Sequence, residues 1–149
     1  MSYRAPVKDQ LFVMKELAGI DAVAQLPGFE DAGYDTAAAV LEECARFCAQ
    51  VVAPLNAEGD RNPSSFADGK VTTTPGFKEA FKQFAQGGWQ GLQHPVEVGG
   101  QGLPKLIHAA CSEMVNSASL SFALCPLLTD GAVEEIGRAS CRERVWRYV

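Results

Sequence analysis

The chain has 149 residues, a net charge of −5, and 47% apolar against 21% charged residues, enough for one domain with a real core. The acidic balance offers no basic face for nucleic acid. No apolar run approaches the ~20 residues of a membrane-spanning helix.

The opening MSYRAPVKDQ lacks the basic-then-apolar pattern of a secretory signal, so a cytoplasmic protein is expected. Residues 7–17 form a short amphipathic helix in which Leu11, Phe12, Met14 and Leu17 share a stripe. A second short helical turn follows, ended by Pro27–Gly28. The clearest helix spans about 36 to 53, where Val40, Leu41, Cys44, Phe47, Cys48, Val51 and Val52 recur at the helical period. Asp35 is placed to cap it, and Pro54 to kink or end it. A polar loop, NAEGDRNPSSFADGK, comes next.

Start and stop signals frame the following helix. Thr74 can cap, Pro75 suits the first turn, and Gly87 suits the left-handed end. Phe77, Phe81 and Phe84 lie on one face. Residues 87–104, GGWQGLQHPVEVGGQGLP, then hold six glycines and two prolines. A long helix begins near Pro104, with Leu106, Ile107, Ala110, Cys111, Met114 and Val115 inward. A last helix, LSFALCPLLTDGAVEEI, is perturbed by Pro126. No segment alternates long enough to argue for a strand, so the reading is an all-α bundle with long antiparallel helices. The last residues, 137–149, carry four arginines and one glutamate against an acidic remainder. GRASCRERVWRYV is read as a non-native tail, with the native sequence ending near Glu135 or Ile136.

The residues offer little chemistry by themselves. The five cysteines, Cys44, Cys48, Cys111, Cys125 and Cys141, are read as reduced thiols. Cys44 and Cys48 share a helix face and read as small buried hydrophobes. His94, before a proline, reads as an extended loop residue. His108 fits surface, pocket or core. Neither histidine has the neighbouring ligands of a zinc site. No serine stands in a nucleophile elbow. The spacing G-G-x-G at Gly99, Gly100 and Gly102 lacks the third glycine and the preceding strand of a dinucleotide fingerprint, and a Walker lysine is absent. The loop therefore reads as a scaffold turn, with Trp89 and Leu92 plugging the core.

FKEAFKQFAQGGWQGLQHPVEVGGQGLP resembles the N-terminal helical domain of acyl-CoA dehydrogenases, through Gly88-Trp89, Gly91-Leu92, Pro95, Glu97 and Gly99 to Leu103. VVAPLNAEGDR and the stretch CSEMVNSASLSFALCPLLTDGAVEEI, with Glu113, resemble the same domain. Residues 1–33 resemble the N-terminal extension of a longer subfamily that includes 3-methylmercaptopropionyl-CoA dehydrogenases. The resemblance implies an extension at 1–33 and the helical domain at 34–136.

It further implies a β-domain and a C-terminal helical domain beyond this chain, with FAD between the parts. A C-terminal glutamate would take the α-proton of the acyl thioester and flavin N5 the β-hydride, giving a 2-enoyl-CoA. Acyl-CoA is the implied substrate, electron-transfer flavoprotein an example of the electron acceptor, and a homo-oligomer the implied full-length state. No catalytic residue is transferred to this chain, which is expected to be a truncated fragment that retains no FAD and is inactive alone. The resemblance makes the helix after the glycine loop one wall of the acyl pocket. A spacing of three and four from Pro104 selects His108, Cys111, Ser112 and Val115, with Leu103 at the mouth. Ordinary core packing is the competing reading for each. The alternative for the whole chain is a free-standing helical interaction module.

Overall fold

The computed structural model describes residues 3–137. The segment from 138 onward, nearly all of the tail read as foreign, lies outside the described residues, as does Cys141.

The chain begins with α1 (Val7–Phe12), which widens into a π-helical turn at Val13–Leu17. There the Ala18 N–H reaches back five residues to the Val13 carbonyl at 2.9 Å. Gln10 and Met14 are buried and Val7 and Leu11 half-buried, so the inward face runs 7, 10, 11, 14. Phe12, expected in the stripe, falls off that face, and the widened turn carries Leu17 away from it; both are exposed. The Gln10 side chain donates to the Ala110 carbonyl at 3.3 Å. Tyr3 donates to the Met114 carbonyl at 3.0 Å. These bonds tie the first residues to a helix a hundred positions away. A short α2 (Ile20–Val23) follows Gly19, which supplies the left-handed residue at φ 69°.

Helix α3 (Tyr34–Phe47) passes through a second π-helical turn, Cys48–Val52, into α4 (Ala53–Arg61). Gly33, rather than Asp35, holds the cap position. Pro54 does not end the helix. In the widened turn the Ala53 N–H bonds to the Cys48 carbonyl, so the ladder is already shifting register where the proline lacks its N–H. The helix therefore continues into the segment read as a polar loop.

The rest of that segment is a hairpin. Strands β1 (Ser65–Ala67) and β2 (Lys70–Thr72) pair antiparallel, with Phe66 opposite Val71. The expectation of no strand fails here for a local reason. Asp68 and Gly69 both take positive φ, 50° and 74°, the pair of conformations a two-residue hairpin turn needs and Asp-Gly tolerates. Three-residue strands are too short for alternation to register. Gly69→Ala should cost about 1 kcal/mol of hairpin stability, seen as faster amide exchange at 65–72 with helical circular dichroism unchanged.

Helix α5 (Phe77–Gln86) starts from Gly76 at φ 87° instead of from a Thr74 cap. Thr74 instead ties the chain back to the end of α4, its hydroxyl donating to the Asn62 carbonyl at 3.0 Å. The left-handed residue after α5 is Gly88, φ 73°, with Gly87 still helical. Helix α6 (Lys105–Ala118) follows an extended Pro104. Ser119 separates it from α7 (Leu120–Gly137), which runs through Pro126 without interruption.

The all-α reading holds, with the hairpin as an addition to it. Helix α6 packs against both α3 and α7, and α1 against α3. Leu41, Val52, Ile107 and Met114 are wholly buried at their meeting. Full burial of one such side chain contributes roughly 2 kcal/mol. Phe47, Phe84 and Trp89 form a second layer, with Phe47 6.2 Å from Phe84 and 6.0 Å from Trp89 between ring centroids.

Candidate functional site

The glycine loop closes on itself. Gly99 donates to Val96, Gly100 to Pro95, Gln101 to Gly91, Gly102 to His94 and Leu103 to Leu92, all at 2.8–3.0 Å. Gly100 lies so near the His94 backbone that a Cβ would fall 2.0 Å from its carbonyl oxygen. A phosphate cradle needs free backbone N–H groups converging on an anion. Here the five N–H groups from Gly99 to Leu103 already have acceptors. The loop does not fit the pyrophosphate of a flavin dinucleotide.

The folded loop sets Leu92 into the core and Trp89 beside a small, partly open cavity of about 30 Å³. That is room for about one water molecule. Its lining brings together four of the residues selected by spacing: His108, Cys111, Ser112 and Val115. Helix geometry explains this, since positions three, four and seven apart share a face. Leu103 is not among the lining residues; it is half-buried and packs on the core. Glu113 is exposed on α6.

The same region holds a polar cluster that sequence spacing did not reveal. Asp130 of α7 accepts from His94 Nε2 at 2.8 Å and from the Gln90 amide at 3.0 Å on one oxygen. Its other oxygen lies 3.2 Å from His108 Nε2. His94 is buried rather than a loose loop residue. Thirty-six residues separate it from Asp130, so no local pattern links them. The available signal was a carboxylate inside the apolar run of α7. Burial pushes the His108 pKa down, against the opposing pull of Asp130.

Cys44 and Cys48 are both buried, as the hydrophobe reading expects, with sulfurs in hydrogen-bond contact at 4.0 Å and no disulfide between them. Contact with Cys111 and Cys48, together with burial, raises the Cys44 thiol far above its ordinary range, so it is not a poised nucleophile. Among the described residues no group of three or more His, Cys, Asp or Glu is arranged to hold a metal ion, and no helix is long and apolar enough to cross a membrane.

Fold and loop together define a helical domain whose glycine-rich turn braces one wall of a cavity. The family profile described as acyl-CoA dehydrogenase, N-terminal domain, matches residues 34–146. The chain belongs to the acyl-CoA dehydrogenase family. It is 45% identical over 136 residues to the 3-methylmercaptopropionyl-CoA dehydrogenase of Ruegeria pomeroyi, covering 91% of this chain and 23% of that protein. It is 33% identical over 120 residues to the broad-specificity linear acyl-CoA dehydrogenase FadE5 of Mycobacterium tuberculosis, covering 78% of this chain and 20% of that one. The chain thus spans under a quarter of the length of these relatives. The family match begins at residue 34, one past the expected extension, and runs into the tail.

Proposed function

We propose that this chain is the N-terminal helical part of a flavin-dependent acyl-CoA dehydrogenase that converts an acyl-CoA thioester to a 2-enoyl-CoA. The observation that carries the proposal is the joint placement of His108, Cys111, Ser112 and Val115 on one cavity, next to the glycine loop that carries the family resemblance. In this reading α6 supplies one wall of the acyl pocket, and residues 34–136 form the domain behind it. The flavin, the base and the opposite wall belong to parts beyond this chain, as does contact with an electron acceptor such as electron-transfer flavoprotein. The chain alone is then inactive and retains no FAD. A cytoplasmic setting fits the free thiols of Cys44, Cys48, Cys111 and Cys125.

The test is a chimera in which this chain replaces the matching stretch of the Ruegeria pomeroyi relative. It should bind flavin and reduce a dye with acyl-CoA. Val115→Phe in the chimera should then raise the acyl-CoA KM by about tenfold at unchanged flavin content. An active chimera whose KM ignores both Val115→Phe and Ser112→Phe would contradict the wall assignment. A chimera that folds and loads flavin without turnover would contradict the family function.

Helix α7 gives separate support. Leu120, Leu124, Leu127 and Leu128 are all exposed, and a helix apolar on most sides belongs under a cover. We expect the chain alone to bind a hydrophobic dye at α7. A monodisperse chain that binds no dye and melts cooperatively would instead favour the free-standing helical module.

A further inference from the structure

The cluster at Asp130 has a chemical consequence beyond the acyl-pocket reading, and it does not depend on that reading. Both imidazoles present Nε2 to the same carboxylate, at 2.8 and 3.2 Å. An ionised carboxylate only accepts, so each Nε2 must carry a proton. In the neutral form each Nδ1 is then bare. His108 Nδ1 is fully buried and has no hydrogen-bond partner. Its neutral state leaves an orphan acceptor there. Protonation would place a buried cationic N–H with nothing to receive it, a costlier arrangement.

The three groups come from three parts of the fold: His94 from the glycine loop, His108 from α6 and Asp130 from α7. Gln90 adds a second bond from the loop, its amide also donating to the Pro126 carbonyl at 3.1 Å. The titratable and charged groups facing His108 are Asp130 and Glu134 of α7, Lys105 of its own helix, and His94 across the cluster. Lys105 and Glu134 form an ion pair at 2.7 Å one turn away.

We propose that Asp130 is a positioning residue that locks His94 and His108 in the Nε2–H tautomer, making a clasp between the glycine loop, α6 and α7 that holds while His108 is neutral and loosens when it is protonated. Folding disfavours the charged form of His108, so its folded pKa lies below the ordinary 6.5. The unfolded chain then binds the proton first. The clasp's contribution is whole above pH 6.5 and is lost as the pH falls from there through the folded pKa. Trp89 lines the same cavity as His108 and Asp130, so its emission reports the change.

The experiment uses the whole chain with Trp146→Phe, leaving Trp89 as the fluorophore, and nitrogen-15 spectra of the histidine rings. At pH 8 both histidines should show the Nε2–H tautomer. Trp89 emission should shift to the red along the His108 titration, with a midpoint below 6.5. Asp130→Asn turns an amide donor toward His108 and should switch that ring to the Nδ1–H tautomer. His108→Gln keeps a donor for Asp130 but removes the titrating ring, so the part of the Trp89 shift that follows the His108 ring signals should be lost. It also keeps the test open should Asp130→Asn fail to fold. An Nδ1–H tautomer in the unaltered cluster, an unchanged His108 tautomer in folded Asp130→Asn, or the same emission shift in His108→Gln would overturn the proposal.

Discussion

Replacing Gly100 with alanine is expected to destabilise the chain by about 3 kcal/mol or more, read as a lower urea midpoint at unchanged slope. The added Cβ would lie 2.0 Å from the His94 carbonyl oxygen and 2.4 Å from its carbon. Backbone atoms cannot swing aside as a side-chain end can. His94 is further pinned through its ring to Asp130 and through its carbonyl to the Gly102 N–H. Relief would therefore have to open the loop. Gly131→Ala is the matched control. Nothing lies within 4 Å of its Cβ position on α7, and alanine should gain up to about 1 kcal/mol of helix propensity there. A Gly100→Ala chain as stable as this control would mean that the loop is not braced as described.

Leu41→Ala should cost 2–5 kcal/mol, in the usual range for truncating a fully buried leucine (roughly 2–5 kcal/mol). Leu41 is 0% exposed, in the same core as Ile107, also at 0%. The cavity left behind would face packed helices on more than one side, so collapse could recover little of the loss. Leu128→Ala provides the contrast. Leu128 is 74% exposed, and its truncation should change stability by less than about 0.5 kcal/mol. A large loss at Leu128 would show that α7 is covered in solution, for instance by self-association. Thermal or urea unfolding of both variants at two protein concentrations separates these outcomes.

The sequence carried the helices where a periodic stripe ran for several turns. Leu41, Cys44 and Cys48 lie on α3 and its continuation, and Ile107, Ala110, Cys111 and Met114 on α6; all are buried where spacing put them. Boundaries were less legible. Pro54 reads as a stop when taken alone, and only the widened turn before it shows how the helix continues. The hairpin was signalled by Asp-Gly at positions 68 and 69, but its strands are too short to show a period. On the cavity, four residues of one helix could be placed together because a helix has a fixed repeat. The partners of His94 and His108 could not, because Asp130 reaches them only through the packing of α7 against α6. Tertiary contacts between distant segments leave no spacing rule in a single sequence.

The glycine loop is a braced scaffold beside the cavity proposed to form part of an acyl pocket, and its N–H groups do not make a cradle for a dinucleotide. Equilibrium dialysis of the purified chain against FAD tests this most directly, with flavin absorbance read on both sides of the membrane. Equal flavin concentrations are expected, since the N–H groups from Gly99 to Leu103 already have acceptors. Retention of one flavin per chain, lost in a variant altered within residues 99–103, would contradict it.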